Sequence, residues 1–311
     1  MSQPDEFLAR RRAIYGNNAG ENDTIAALVA IRANTLKTSP DALMELLVSA
    51  GFTVRRVPWL DYAFTVPGVP ARTLTELPAY AEGLFYIQNL SSMIPAVVLD
   101  PQPGERIIDM AAAPGSKTTQ IAMLMNNSGS ITANDISRTR LYKLEAILKS
   151  YGVLNTTLTR EPAEAVWKRF PESFDKVLLD APCSMEGSHR NEWSLKEIKR
   201  MAGQQQWMLR SAVSAAKAGG MIVYSTCSMA PEENEAVVDW LLKKERGAVA
   251  LEKISVPGLE SVRGLTSWNG RDFDPSLVHS LRIAPGNSME AFYVAKIRKL
   301  KPTIPTFLRE N

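Results

Sequence analysis

From residue 83 to residue 242, short apolar stretches alternate with segments of helical periodicity, and this alternation constrains the fold more than any other feature. The apolar stretches predict five strands, at 106–110, 131–135, 155–159, 175–180 and 221–224. A later stretch, Ala291–Ile297, predicts an antiparallel strand at the edge of the sheet. Strands that alternate with helices in this way build a mostly parallel sheet with helices on both faces. We therefore predict an α/β fold with a doubly wound sheet.

The first 82 residues predict a smaller α/β unit. Ser39 is a candidate helix N-cap with Pro40 in the first turn, and the leucines that follow predict the buried face of a helix. Residues 52–58 alternate between apolar and polar side chains, as a strand does. A chain of 311 residues is long enough for two domains, which we place at 1–82, for substrate positioning, and at 83–311.

Charge and composition exclude some classes of protein and leave others open. The formal net charge of +3 permits a nucleic-acid partner without requiring one. The run Arg10–Arg12 could contact phosphate, but such a run is more often a solvated face. No apolar run approaches the roughly 20 residues that span a bilayer, and the first residues lack the pattern of a signal peptide. We therefore expect a cytoplasmic protein with no membrane segment. Two cysteines and two histidines without a Cys-x-x-Cys pair are a poor zinc set, so we expect no metal.

A loop rich in small residues connects the strand at 106–110 to the next helix. It consists of Ala111, Ala112, Ala113, Pro114, Gly115, Ser116, Lys117 and Thr118. Small side chains let a ligand approach the backbone, and the free N–H groups at a helix start attract an anionic group. The loop is not a phosphate-binding P-loop, because Met110 occupies the position of its first glycine and Ser116 interrupts its Gly-Lys pair. It also lacks the spacing of dinucleotide-binding glycines, so the remaining match, which includes Asp109, is the looser pattern of S-adenosylmethionine sites.

The strand at 131–135 ends in an acid, Asp135. Acids at this point, about 20 residues after the glycine loop of nucleotide-binding folds, bind ribose hydroxyls. Together, the loop and Asp135 predict a ligand with an adenosyl group.

Both cysteines follow predicted strands. Cys183 lies in Asp180-Ala-Pro-Cys183, and Cys227 follows the strand at 221–224. Amino methyltransferases have an Asn/Asp-Pro-Pro-Tyr sequence at the first of these positions, but this chain lacks the second proline and the aromatic residue. A carboxyl group and two thiols suit instead a pyrimidine C5, which becomes nucleophilic once a thiolate adds to C6 and an acid supports N3. A single buried cysteine is usually structural, but two thiols at neighbouring strand ends favour this chemistry.

These motifs resemble the RNA (cytosine-5) methyltransferases of the NOL1/NOP2/Sun (RsmB-like) family. The resemblance rests on Asp109–Thr118, Asp180–Ser184 and Ser225–Ser228, with support from 32–37, 83–92 and 233–235. It covers most of the chain and is strongest from residue 83 to residue 242. It implies a Rossmann-like class I methyltransferase sheet, S-adenosylmethionine as cofactor and an RNA substrate. The compact form of the chain, one catalytic domain with a small N-terminal unit, favours tRNA over rRNA.

The resemblance also assigns roles to the candidate residues. Cys227 is the expected nucleophile, and Cys183 is expected to assist breakdown of the covalent adduct. Asp180 is expected to face N3 of cytosine next to the cofactor, and Asp135 to hold the ribose. DNA cytosine methyltransferases use the Pro-Cys thiol as the nucleophile, so the Thr-Cys motif is what transfers this role to Cys227.

Other positions match the family less closely. Glu161 stands where the family has an acid near the adenine, and Lys117 is expected to orient the substrate. Ser116 replaces a glycine of the family's cofactor loop, and Met185 replaces a glycine after Cys-Ser, which we expect to narrow the site. The segment 286–293 lacks the family's Gly-Phe-Phe.

For the substrate, we expect an unstacked or flipped cytosine, because attack at C6 requires access to the face of the ring. Phosphate contacts are predicted for Arg190, Lys196, Lys199 and Arg200, so binding should weaken with salt. We expect a monomer without an appended RNA-binding domain. The alternatives are rRNA instead of tRNA, a catalytically silent RNA-binding or assembly factor, and a DNA cytosine methyltransferase.

Overall fold

The computed structural model describes residues 3–16, 28–186, 194–286 and 289–303, with side chains from residue 7 onward. The α-helices within these ranges are α1 (Gln3–Tyr15), α2 (Pro40–Ser49), α3 (Ala71–Thr75), α4 (Pro78–Ala81), α5 (Leu90–Leu99), α6 (Ser116–Leu124), α7 (Arg138–Ser150), α8 (Val166–Arg169), α9 (Leu195–Ala215) and α10 (Glu235–Lys244). The strands are β1 (Val29–Ala33), β2 (Arg55–Val57), β3 (Leu60–Val66), β4 (Phe85–Ile87), β5 (Arg106–Asp109), β6 (Ser130–Asn134), β7 (Thr156–Thr159), β8 (Phe174–Asp180), β9 (Ala216–Thr226), β10 (Val249–Glu252), β11 (Val262–Arg263), β12 (Ser267–Trp268), β13 (Arg271–Asp272), β14 (Leu281–Ile283) and β15 (Phe292–Lys299). None of these helices combines the length and the apolar composition that crossing a bilayer requires.

The large sheet confirms the predicted α/β architecture. Its order is β11-β14-β15-β9-β8-β5-β6-β7, with β10 also paired to β15, and the five strands from β9 to β7 are parallel. Alternation along the strands separates the two faces. Leu179 and Tyr224 pack in the cluster that includes α9 and α10, whereas Leu178 and Val223 pack in the cluster that includes α5 and α6. Helices therefore cover both faces.

The predicted position of the last strand is wrong. β15 pairs antiparallel with β9, as expected, but its other side is covered by β14 and β10, so it lies inside the sheet. These strands come from 249–283, a region without a predicted element. Strands that are distant in sequence therefore cover the side of β15 that was predicted to be exposed.

The N-terminal unit contains a four-stranded antiparallel sheet with the order β2-β3-β1-β4. The predicted helix is confirmed as α2, since the Ser39 side chain accepts a hydrogen bond from the backbone N–H of Ala42. Instead of one strand at 52–58, the chain forms the β2–β3 hairpin. The fourth strand, β4, lies beyond residue 82, and the division of the chain at that point stays a prediction.

A buried arginine joins the small sheet to the start of α6. Arg32 is 1% exposed and donates from Nη1 to the Ser116 carbonyl oxygen and from Nη2 to Thr119 Oγ1, both at 2.7 Å. Burial lowers the pKa of Arg32 to about 10, which is still high enough for the guanidinium to stay charged at neutral pH. The N-terminal unit thereby contacts the loop predicted to bind the cofactor.

The prediction of a solvated face is wrong for Arg10 and Arg11. Arg11 is 7% exposed, and the Arg10 side chain is 8% exposed and donates from Nε to Glu186 Oε1 at 2.6 Å. Arg10 also pairs with Glu232 and lies 5.2 Å above the Trp268 ring. These contacts arise because α1 packs against Met229 and Ala291, which charge patterning alone does not reveal.

A fully buried ion pair fastens β14 to α10. The Arg282 and Glu235 side chains are both 0% exposed, and Arg282 Nε donates to Glu235 Oε1 at 2.6 Å. Arg282 Nη1 also donates to the Met229 carbonyl oxygen at 2.9 Å, in the loop that follows Cys227. Burial opposes the charge of Arg282, but the attraction of Glu235 outweighs it and raises the pKa of Arg282.

We expect Arg282→Met to lower the free energy of unfolding by about 3–5 kcal/mol, because it leaves the Glu235 carboxylate buried without its cation. Urea denaturation followed by circular dichroism measures this loss. The control is Arg72→Met, since Arg72 pairs with Glu76 at a site where its side chain is 88% exposed. This variant should change the free energy by less than about 0.5 kcal/mol. Equal losses in the two variants would contradict the importance of the buried pair.

Candidate active site

The carboxyl ends of β5, β6, β8 and β9 meet at one edge of the sheet, and a cavity of about 360 Å³ opens there. Such crevices outside the carboxyl ends of parallel strands are where open α/β sheets bind ligands. Predicted site residues that line the cavity are Ala111, Ala113, Asp135, Glu161, Asp180, Cys183 and Cys227. The structure thus brings together residues from all four strand ends.

Two further residues of the small-residue loop, Ala112 and Gly115, pack against α7 and do not line the cavity. Ala112 packs in the apolar cluster of Leu144 and Leu148. Gly115 has a φ of +121°, and a Cβ added there would lie 2.8 Å from Leu144 Cδ1. The glycine is therefore needed for the close approach of α7, in addition to any approach of a ligand.

Asn134 holds the two loops on either side of the cavity, and the sequence analysis missed it. Its Nδ2 donates to the Met110 carbonyl oxygen at 3.1 Å and to the Glu161 carbonyl oxygen at 2.9 Å. Its Oδ1 accepts from the Glu161 N–H at 2.8 Å. The sequence signal for this role is an amide side chain at the last position of a buried strand, because a buried amide needs hydrogen-bond partners.

Asp109 is a structural acid beside the cofactor loop. It is 1% exposed, and its Oδ2 accepts a hydrogen bond from the Thr118 hydroxyl at 2.7 Å, which joins β5 to α6. Burial raises the pKa of Asp109 to about 6, although the bond from Thr118 acts in the opposite direction.

Asp135 offers the cavity a carboxylate oxygen with spare bonding capacity. Its Oδ1 accepts from the Ser137 N–H at 2.9 Å. Its Oδ2 lies 3.1 Å from Arg140 Nη1 but accepts no well-directed hydrogen bond from any described residue. A buried acceptor of this kind fits the hydroxyls of a ribose, because an unmade bond at a buried oxygen is costly. With the apolar Ala111, Ala113 and Met208 in the same lining, the cavity fits S-adenosylmethionine.

Glu161 reaches the cavity but has a partner of its own. Its Oε1 lies 2.7 Å from Arg169 Nη1, and its side chain is 31% exposed. Its place near an adenine stays a prediction.

The two thiols meet at the end of the cavity. Cys183 Sγ and Cys227 Sγ lie 3.2 Å apart, within hydrogen-bonding distance. The bond to Cys227 raises the pKa of Cys183 well above its usual value, and burial and the nearby charge of Glu233 add to the increase. Cys183 therefore keeps its proton at neutral pH in this state.

Asp180 is fixed beside the thiols by two partners. Its Oδ1 accepts from the Ser225 hydroxyl at 2.7 Å, and its Oδ2 lies 2.7 Å from Lys117 Nζ. Lys117 Nζ also donates to Ser92 Oγ at 2.7 Å, so this lysine reaches the site through Asp180 and does not line the cavity. Ser225 was part of a recognised motif but had no predicted role.

The loop that contains Cys227 is held by hydrogen bonds between polar side chains and the backbone. Residues 231–234 form turns, and α10 begins at Glu235. The Thr226 hydroxyl donates to Asn234 Oδ1 at 2.5 Å, and Asn234 Nδ2 donates to the Ser228 carbonyl oxygen at 2.8 Å. The Glu-Asn-Glu motif thus closes the loop around Cys227 before the helix starts.

Met185 lines the cavity, at the position where a narrower site was expected. Its φ of +59° lies in the left-handed region that favours glycine, which explains why a glycine suits this position.

Of the predicted phosphate contacts, Lys196, Lys199 and Arg200 are exposed on α9, whereas Arg190 lies outside the described residues. Arg200 pairs with Glu197 at 2.6 Å.

Known proteins are similar in sequence to this chain. A family described as 16S rRNA methyltransferase RsmB/F matches residues 96–298. A tRNA (cytosine(49)-C(5))-methyltransferase from Pyrococcus abyssi is 42% identical over 87% of this chain and 88% of its own length. Ribosomal RNA small subunit methyltransferase F from Klebsiella pneumoniae is 37% identical over 95% of this chain, which spans 63% of that relative.

Two solved structures of related methyltransferases are similar in fold to this chain. A methyltransferase homolog from Pyrococcus horikoshii has a TM-score of 0.81 and 36% identity, covering 95% of this chain and 94% of its own. NSun6 from Pyrococcus horikoshii, solved with the S-adenosylmethionine analogue SFG, has a TM-score of 0.80 and 27% identity, covering 96% of this chain and 98% of its own. The chain belongs to the RsmB/F family, within the NOL1/NOP2/Sun group, and is an S-adenosylmethionine-dependent RNA (cytosine-C5-)-methyltransferase.

Proposed function

We propose that the enzyme methylates cytosine through a covalent bond between Cys227 Sγ and C6 of the base. One observation carries this proposal: two thiols from different strand ends lie 3.2 Å apart beside Asp180, at the end of a cavity that fits the cofactor. Addition of the Cys227 thiolate to C6 makes C5 nucleophilic. The Asp180 carboxyl group, oriented by Ser225 and Lys117, faces N3 and supports the addition by hydrogen bonding.

The cofactor site follows the same strand edge. S-adenosylmethionine supplies an electrophilic methyl group to C5. The Asp135 carboxylate binds the ribose hydroxyls, Glu161 lies near the adenine, and the loop from Ala111 to Lys117 supports the amino-acid portion. Lys117 acts on the substrate by fixing the orientation of Asp180, to which it is ion-paired.

Release requires a base, and we assign this role to Cys183. After transfer, C5 has both a methyl group and a proton. The Cys183 thiolate, formed by loss of its proton to solvent, removes this proton, the C5–H electron pair forms the C5–C6 double bond, and the C6–S bond breaks to return the Cys227 thiolate. Once Cys227 is bonded to C6, it can no longer hold the Cys183 proton through the thiol–thiol bond that raises the pKa of Cys183. Formation of the adduct therefore makes Cys183 easier to deprotonate.

We expect Cys183→Ala to accumulate a covalent protein–RNA adduct and Cys227→Ala to form none, because the first loses release and the second loses attack. Turnover should fall by about 100-fold or more in both variants. A denaturing gel with labelled RNA measures the adduct, and the double variant, which should form none, is the control. An adduct with Cys227→Ala but none with Cys183→Ala would assign the nucleophile to Cys183, as in DNA cytosine methyltransferases.

We expect Asp135→Asn to weaken S-adenosylmethionine binding by about 10- to 100-fold, the value of a charge-assisted hydrogen bond. Asparagine keeps an acceptor for the Ser137 N–H, so the loop should be preserved. Isothermal titration calorimetry gives the dissociation constant. The control is Asp175→Asn, since this partly exposed acid, near the start of β8, pairs with Lys217 and should not affect the cofactor. Unchanged affinity in Asp135→Asn would remove Asp135 from the cofactor site.

We further propose tRNA as the substrate, a choice supported by the tRNA activity of the Pyrococcus abyssi relative at 42% identity. The exposed basic residues Lys196, Lys199 and Arg200 of α9 would contact phosphates, with an affinity that falls as salt rises.

Labelled methyl transfer to total tRNA and to rRNA, followed by bisulfite mapping, tests the choice of substrate. We expect 5-methylcytosine at a defined tRNA position. Label in rRNA alone would select the rRNA alternative. Absence of label from both, with the cofactor bound, would favour a silent RNA-binding factor.

A further inference from the structure

Two side chains, Gln205 and Glu233, are hydrogen-bonded to each other and to the backbone on either side of Cys183. Gln205, in the middle of α9, is 0% exposed, and its Nε2 donates to the Pro182 carbonyl oxygen at 2.9 Å. The same Nε2 donates to Glu233 Oε2 at 2.8 Å. Glu233 in turn accepts a hydrogen bond from the Ser184 N–H at 3.0 Å. The backbone is therefore held immediately before and immediately after Cys183.

Glu233 also connects the two cysteine loops. Its Oε1 accepts from the Ser184 hydroxyl and, at 3.3 Å, from the Ser228 hydroxyl, which is next to Cys227. The carboxylate thus has donors from the Cys183 loop, the Cys227 loop and α9. A group bonded to all three fixes the distance between the two thiols.

A carboxylate buried at this position lowers the stability of the folded protein. Glu233 is 0% exposed, and within the described part of the chain its carboxylate is bonded to Ser184, Gln205 and Ser228 and forms no ion pair with a lysine or arginine. Burial raises the pKa of Glu233, while the bonds from Ser184 and Gln205 act in the opposite direction. A buried charge held only by neutral donors costs stability, so its presence calls for a contribution beyond packing.

We propose that Gln205 and Glu233 form a clamp that positions Cys183 for the release step. They are positioning residues, because neither contributes the reacting thiol. The proposal rests on the proposed function, in which Cys183 takes the C5 proton. A base must lie within hydrogen-bonding reach of the proton that it removes, so a loose Cys183 loop would slow release. Attack by Cys227 and methyl transfer do not require Cys183 to be placed accurately.

The test compares Gln205→Met, which keeps the length of the side chain but removes both donated bonds, with the wild-type enzyme. In a single turnover, methyl transfer to RNA should stay within about 3-fold of wild type, whereas steady-state turnover should fall by about 10-fold. The methylated covalent adduct should accumulate on a denaturing gel. Glu233→Gln should give the same pattern, and it provides a second variant if the first does not fold.

Two controls separate positioning from general damage. Gln206→Met places the same substitution on the neighbouring, partly exposed residue of α9 and should behave like wild type. In a Cys183→Ala background, where the base is already absent, Gln205→Met should not lengthen the lifetime of the adduct further. A structural defect would act in both backgrounds.

The outcomes distinguish the clamp from the function on which it rests. If Cys183→Ala traps an adduct but neither Gln205→Met nor Glu233→Gln does, only the clamp is overturned. Equal losses of single-turnover and steady-state rates, with no adduct, would also overturn it. If Cys183→Ala itself traps no adduct, the role of Cys183 in release fails, and the clamp proposal fails with it.

Discussion

Parallel pairing of β8 with β9 is the constraint on which the site depends. In this register Asp180 lies opposite Ser225, so both strands end at the same level of the sheet. Cys183 and Cys227, which are 44 residues apart in sequence, follow these two ends within three residues, and their sulfur atoms come to 3.2 Å. A shift of two residues in this register would move the strand ends by roughly 7 Å and separate the thiols. The distance between the two thiols therefore depends first on the backbone pairing of β8 with β9.

Around this register, the fold uses buried polar groups to hold the loops. Asn134 joins the loops that follow β5 and β7, and Glu233 joins the two cysteine loops. Arg32 and Arg282 fasten more distant elements to the same edge. Each of these groups is buried, and the hydrogen bonds of a buried polar group favour one arrangement of the chain, because another arrangement would break them without water to replace them. The loops are thus ordered although few of their residues belong to helices or strands.

Much of the site could be predicted because its residues occupy strand ends, which local patterns reveal. Apolar stretches bounded by small or polar residues identify the strands, and parallel topology brings Asp135, Asp180, Cys183 and Cys227 to one edge. Lys117 shows the limit of this reasoning: it belongs to the cofactor loop in sequence, yet it turns away from the cavity to Ser92 and Asp180. Gln205 could be placed on the buried face of a helix, but periodicity does not say what that face touches.

The sequence by itself determined the order of strands and loops, the parallel sheet and the set of reactive groups, since these depend on local composition and on the general topology of α/β chains. The tertiary structure decided which strands cover β15, that Arg10 is buried against Glu186, and which partners fix each reactive group. These features depend on contacts between segments far apart in the chain. Such contacts form only when helices and strands have packed, so no local pattern records them.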